Sequence, residues 1–261
     1  MMYLPQLLKK SAKGERLVAL TCYDASFARL MVRCGIDILL VGDSLGMTVQ
    51  GHATTLAVTL EQMVYHTEAV ARGAEGGALI LADLPFGSYQ QSPEQAFAAA
   101  ARLLAAGANM VKLEGGSVMA PTVAFLTQRG VPVCGHLGLL PQSVNQTGYA
   151  PQGRDGASAT QLLRDAEALT GAGVKLMVLE SIPSVLAEEV TQRLGVPTIG
   201  IGAGPYCNGQ VLVLQDMLGL TPKPPRFAKD FMAGALSLEE AVLSYARAVR
   251  QGEFPGPEHS L

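Results

Sequence analysis

The stretch IDILLVGDSLGMTVQGH, residues 36–52, decides how the chain is read. An apolar run, IDILLV, leads straight into an acidic, glycine-punctuated exit, so a buried strand ends with a carboxylate, Asp43, at the mouth of something. Taken alone, Asp followed by Ser and a nearby Gly also describes an ordinary Asx-turn. Working outward, the same unit recurs. LVALTCYD (17–24) precedes it, and ALILADLPF (78–86), NMVKLEGG (109–116), VPVCGHLG (131–138), VKLMVLES (174–181) and VPTIGIGAG (196–204) follow, each reading as a strand. Between them fall helical stretches over 25–35, with Gly35 at the C-cap, and over 60–74, 92–108, 122–130, 158–173 and 184–195. Ser92 and Pro93 supply an N-cap and an N1 proline. GQVLVLQDMLGL (209–220) comes next, a charged eighth strand is expected at FAKDF (227–231), and a helix over 236–252 ends the pattern.

These strands are almost continuously apolar rather than half polar, which predicts a parallel sheet covered on both faces. Seven or eight βα units in about 230 residues favour a single (β/α)8 TIM barrel over a doubly wound sheet. The first βα turn carries no GxGxxG, which weakens a dinucleotide-binding alternative. No linker or composition shift divides the chain, so residues 1–261 read as one barrel domain with a short N-terminal extension and a C-terminal helix.

Composition narrows the function. Hydrophobic residues make up 49% and charged residues 16% of the 261, yet no run approaches the roughly 18 apolar residues of a membrane span. A soluble protein with no membrane partner is expected, and the surplus apolar surface predicts a homo-oligomer. A net charge of −3 without a Lys/Arg run argues against nucleic acid. Cys22, Cys34, Cys134 and Cys207 are scattered without a CxxC, as reduced core thiols would be. The opening MMYLPQLLKKSAKGER lacks the basic, apolar and small-residue regions of a leader, so a cytoplasmic location is expected.

The strand exits carry the chemistry. By alternation Asp43 shares a face with Leu39 and Val41, Asp83 with Leu79 and Leu81, Lys112 with Glu114, and Glu180 with Leu176 and Val178. Each singly is a solvated strand end, and Lys112 and Glu114 could simply pair with each other. Together, carboxylates converging on one mouth repel unless a cation sits among them. Oxygen donors without matching Cys or His suit a hard ion such as Mg²⁺, completed by water and substrate oxygens. A 2-oxo acid fits as a small-molecule chelator: Lys112 would hold its negative charge, and loss of a C3 proton would give an enolate. Glu180, apart from the first cluster and flanked by apolar residues that favour a raised pKa, is the spare base. His136 is either a satisfied structural histidine or a substrate contact. His66 reads as structural. GIGAG (200–204) is a weak phosphate-cradle signal, since glycines also serve close approach.

With these residues named, the chain resembles the ketopantoate hydroxymethyltransferase family. TCYDASFA, VGDSLGMTVQGH, LADLPF, ANMVKLEGG, VPVCGHLGLLPQSVN, VLE and GIGAG followed by GQVLV carry the resemblance. It implies a (β/α)8 barrel in a homodecamer that uses Mg²⁺ and 5,10-methylenetetrahydrofolate to put a hydroxymethyl group on 2-oxoisovalerate, within pantothenate biosynthesis. It implies metal positions at Asp43, Asp83 and Glu114, the last through water, ketoacid contacts at Ser44, Asp83 and Lys112, and a proton acceptor at Glu180. Pro151 stands where an aliphatic residue is expected and Asn208 where Asp commonly precedes GQVLV. An alternative of the same chelating logic is a Mg²⁺-dependent carbon–carbon lyase or mutase of the isocitrate lyase and phosphoenolpyruvate mutase kind, though its reactive lid cysteine is missing. A non-catalytic barrel would fit the composition but need not keep this set of residues.

Overall fold

Eight parallel strands pair in sequence order and close on themselves in a computed structural model that describes residues 2–260. They are β1 (Leu17–Thr21), β2 (Ile38–Val41), β3 (Leu79–Asp83), β4 (Met110–Glu114), β5 (Val133–Gly138), β6 (Leu176–Glu180), β7 (Thr198–Ile201) and β8 (Gly209–Leu212). Closure is made by β1 against β8, with Leu17 opposite Gly209 and Leu20 opposite Leu212. The (β/α)8 barrel expected from the strand pattern is the fold found.

Alternation along these strands builds two apolar layers. Leu17, Ile38, Leu79, Met110, Leu176 and Ile199 fill the barrel. Val18, Leu39, Ile80, Val111, Leu113 and Leu179 face outward and pack under the helices, against Ala28, Met63, Ala100 and Val123. Leu7 belongs to the inner layer, so the N-terminal helix Leu4–Ala12 stoppers the end where the strands begin. Lys10 of that helix fastens it by an ion pair to Asp37 at 2.6 Å.

The helices start where their caps dictate. The Ser92 hydroxyl accepts from the Gln95 N–H at 3.1 Å ahead of helix Pro93–Ala105, and Asp24 caps Ala25–Arg33 through the N–H groups of Ser26 and Phe27. The long segment 140–156 contains two short helical turns, Pro141–Ser143 and Val144–Thr147. All four cysteines are buried and free. Among the described residues no helix is long and apolar enough to cross a membrane.

The eighth strand is not at 227–231. It is Gly209–Leu212, reached from β7 without an intervening helix. The sequence pattern presumes a helix between parallel strands, and here that rule is broken by a tight connection in which Gly202 and Gly204 adopt φ of +62° and +76°. A Cβ on Gly202 would sit 2.6 Å from the Phe227 ring, and one on Gly204 would sit 2.4 Å from Ser184 Cβ. These glycines therefore serve packing. Phe231 instead joins an aromatic cluster, its ring centroid 5.3 Å from Tyr245 and 5.5 Å from Phe254.

Candidate active site

Because β3, β4 and β6 keep strict alternation to their last residues, Asp83, Lys112, Glu114 and Glu180 enter the barrel at its carboxyl end above Leu81, Met110 and Val178. Register sets them side by side: Asp83 opposite Lys112, Glu114 opposite His136, Glu180 opposite Gly138. Asp43 arrives differently. Its alternation partners Leu39 and Val41 face the helices, not the barrel, so the register that sequence assigned it points the wrong way. β2 ends at Val41, and the turn at Gly42 brings Asp43 back over the mouth, where its N–H donates to Asp83 Oδ2 at 3.0 Å. A Cβ on Gly42 would lie 2.8 Å from Ser44 Oγ, so a larger residue there would push that hydroxyl aside.

The resulting cluster is buried: Asp43, Asp83, Lys112, Glu114 and His136 are each 2–6% exposed. Lys112 Nζ lies 3.2 Å from Asp83 Oδ1 and 3.3 Å from His136 Nδ1. Its ion-pair partner is thus across the sheet, rather than Glu114 on its own strand. His136 bridges two acids, with Nδ1 3.5 Å from Glu114 Oε1 and Nε2 3.2 Å from Glu180 Oε2. Ser44 Oγ shares a 2.9 Å hydrogen bond with Tyr23 Oη. His66 lies outside this set; its Nδ1 is 2.7 Å from the Tyr23 carbonyl oxygen, a structural role.

Charge and burial compete at every group. Burial, with Asp83 and Glu114 nearby, pushes the Asp43 carboxyl up to about 8. Burial also raises Asp83 despite Lys112. For Lys112, burial works to lower the pKa, but the carboxylates of Asp83, Glu114 and Asp43 outweigh it and hold the ammonium charged. Burial works to raise Glu114, and His136, Lys112 and the Gln142 N–H bring it below its ordinary value. His136 is raised, its acid neighbours overcoming burial and Lys112.

Two residues that sequence gave no role tie the acids together. Gln142 Nε2 donates to Asp43 Oδ2 at 2.8 Å and to the Leu84 carbonyl at 2.9 Å, while its N–H donates to Glu114 Oε2 at 3.0 Å. Tyr89 Oη donates to Gln142 Oε1 at 2.7 Å and accepts from the Glu114 N–H at 3.1 Å. Gln142 stands in the quoted LLPQS segment and Tyr89 before the Ser92 cap, but these partnerships span 25 to 99 positions and leave no local signal.

The donor set fits a hard cation. Asp83 Oδ1 is buried and accepts no hydrogen bond, its 3.2 Å approach to Lys112 being an ion-pair contact without hydrogen-bond direction. Both Glu114 oxygens are engaged, by His136 and Gln142. Among the described residues no three His, Cys, Asp or Glu side chains form a closed cage, so an ion here would rest on Asp43 and Asp83 with its other positions filled by water or substrate oxygens, the habit of Mg²⁺. The cluster floors a cavity of about 960 Å³ whose walls rise past Tyr149, Asp216 and Phe227.

A model of the family described as ketopantoate hydroxymethyltransferase matches residues 1–257. The chain belongs to that family. Ketopantoate hydroxymethyltransferases are transferases, and the curated relatives agree: the chain is 62% identical to the 3-methyl-2-oxobutanoate hydroxymethyltransferase of Thiobacillus denitrificans over 95% of each chain, and 58% identical to that of Methylobacillus flagellatus over the whole of both. Solved structures share the barrel at far lower identity. A phosphoenolpyruvate phosphomutase from Streptomyces platensis subsp. rosaceus matches at a TM-score of 0.64 and 14% identity over 83% of each chain. A phosphonopyruvate hydrolase, solved with oxalate and Mg²⁺, matches at 0.64 and 14% over 97% of this chain and 99% of the other. The lyase and mutase alternative thus shares the fold, while family membership lies with the hydroxymethyltransferases. Asn208, the departure from the family pattern before GQVLV, precedes β8 at the end opposite the cluster. There its Oδ1 accepts from the Thr198 N–H at 2.9 Å, a bond that either Asn or Asp can accept.

Proposed function

We propose that the chain transfers a hydroxymethyl group from 5,10-methylenetetrahydrofolate to 2-oxoisovalerate, consuming one water and releasing ketopantoate and tetrahydrofolate. One observation carries the reading: a buried lysine and two facing carboxylates, Lys112, Asp83 and Asp43, share a cavity floor with a separate acid–imidazole pair, Glu180 and His136. The first group suits holding a chelating 2-oxo acid and the second suits moving its proton.

In this reading Asp43 and Asp83 hold Mg²⁺, with Glu114 acting through water. Bound there, the ion would supply Lewis-acid stabilisation of the negative charge that develops on the keto oxygen. The chain's own residues do the rest. Lys112, kept charged by its carboxylate neighbours, neutralises the substrate carboxylate, and Ser44 and Asp83 orient it. Glu180 takes the C3 proton. His136, its Nε2 3.2 Å from Glu180 Oε2, orients that carboxylate toward the cavity floor. Gln142 bridges Asp43 and Glu114, and Tyr89 holds Gln142 in place.

The same reading takes residues 1–261 as one domain of a cytoplasmic homodecamer, without nucleic-acid or membrane partners. Its deciding experiment is an assay of ketopantoate formation from 2-oxoisovalerate and methylenetetrahydrofolate, with and without a chelator. Product that appears only with free Mg²⁺ supports the assignment. Absence of product under both conditions overturns it.

A further inference from the structure

The cavity has a second flank that the proton-transfer chemistry does not use. Directly after β8, Asp216 sits in the short helix Leu214–Met217 and lines the wall, 7% exposed. The Thr221 hydroxyl donates to its Oδ1 at 2.5 Å. Among the described residues no Lys, Arg or His lies within ion-pair reach of it, and its other oxygen accepts no hydrogen bond. Gln215 Oε1 and Oγ1 of Thr55, itself 2% exposed, line the same cavity and are buried without a partner. Leaving buried acceptors unmatched is costly, and Asp216, with one donor for its two oxygens, has acceptor capacity to spare. Around them Leu212, Leu220, Pro225 and Phe227 supply apolar wall.

A flat body with a donor-rich edge satisfies such a flank. The opposite flank, at Lys112, suits an anionic acid, and Asp216 would repel one. We propose that Asp216 binds the 2-amino-4-oxopyrimidine edge of the tetrahydropteridine, accepting from its exocyclic 2-amino group and its N3–H, with Thr221 fixing the carboxylate's orientation. Asp216 is then the specificity-determining residue for the one-carbon donor. This rests on the functional reading above and adds to it where the donor's head sits.

The test compares tetrahydrofolate with its 2-desamino analogue by calorimetric titration of the full-length protein, with Mg²⁺ and 2-oxoisovalerate present. Wild type should bind the 2-desamino compound about 10- to 100-fold more weakly, the worth of a hydrogen bond to a charged group. In Asp216→Asn tetrahydrofolate should weaken by a similar factor and the difference between the two compounds should shrink, since an amide cannot accept both donors. The KM for methylenetetrahydrofolate should rise while that for 2-oxoisovalerate holds. Thr221→Val, which leaves the carboxylate in place, should lose part of the discrimination. Wild type that forms ketopantoate yet binds both compounds equally overturns the Asp216 assignment and leaves the proposed reaction standing. Wild type that forms no ketopantoate and binds neither compound overturns both, and because that comparison needs no variant, misfolding of Asp216→Asn does not blunt it.

Discussion

His136 Nε2 stands 3.2 Å from Glu180 Oε2, and the same ring turns Nδ1 toward Glu114 and Lys112, so the proposed base is linked to the proposed cation site through one imidazole. Glu180→Gln keeps the shape and leaves Asp43 and Asp83 untouched. It should still bind Mg²⁺ and 2-oxoisovalerate, while deuterium exchange at C3 falls by roughly 10²–10⁴, the usual worth of a positioned general base. Exchange at the wild-type rate would move the assignment to His136.

Asp83 lies within ion-pair reach of Lys112 at 3.2 Å, both buried. Asp83→Ala should therefore abolish Mg²⁺-dependent ketopantoate formation and also cost stability, about 3–5 kcal/mol for stranding a buried partner. Chemical denaturation and a turnover assay check the two halves separately. Near-normal turnover would mean that Asp83 does not hold the ion.

A pH dependence follows from Asp43. Its carboxyl is raised from 3.8 to about 8 by burial and by Asp83 and Glu114. Between those values the folded, metal-free protein holds a proton that the unfolded chain has released, so stability falls as pH rises, by up to about 1.4 kcal/mol per pH unit. His136, also raised, contributes with the same sign, its share being lost as pH climbs through its folded value. Thermal melts in chelator should decline from pH 5 toward pH 8, less steeply in Asp43→Asn. Mg²⁺ should raise Tm more at pH 8 than at pH 6. A chelated protein whose Tm climbs over that range would contradict the charge balance described for the floor.

Removing Gln142 tests the bridge. Gln142→Ala leaves Asp43 Oδ2 and the Leu84 carbonyl without their donor, a loss of about 1–3 kcal/mol. Metal affinity measured by titration should weaken as well, because Asp43 is no longer held. An unchanged affinity would show that the floor is rigid without it.

The surface predicts assembly. Leu236 is 94%, Val118 82% and Val185 73% exposed, apolar area that a lone chain leaves in water. Light scattering at micromolar concentration should report a large homo-oligomer, a decamer on the proposed reading. A clean monomer would contradict it.

How far the molecule is legible from its sequence depends on where each residue sits. Asp83, Glu114 and Glu180 end strands and Lys112 lies within one, where a period of two fixes the face, so alternation assigns them to the barrel. Asp43 lies one residue past a turn at Gly42, where alternation no longer applies. Gln142 and Tyr89 act through partners distant in sequence, and no local pattern encodes them. The eighth strand is hidden because its connection omits the helix that marks the other crossovers. His136 is ambiguous in sequence, since a lone strand histidine is as readily structural as functional. Its two acid neighbours are contributed by its own strand's neighbours on either side, β4 and β6.

The filled inner layer, stoppered by Leu7 of the helix Leu4–Ala12, makes the barrel a blind alley. If the two substrates of the proposed reaction share that one mouth, traffic is queued: the one settled against Lys112 would be shut in by the one that follows, and departure would reverse the order of arrival. On the proposed reading, a ketoacid that enters ahead of the folate would leave as product only after the folate has stepped aside.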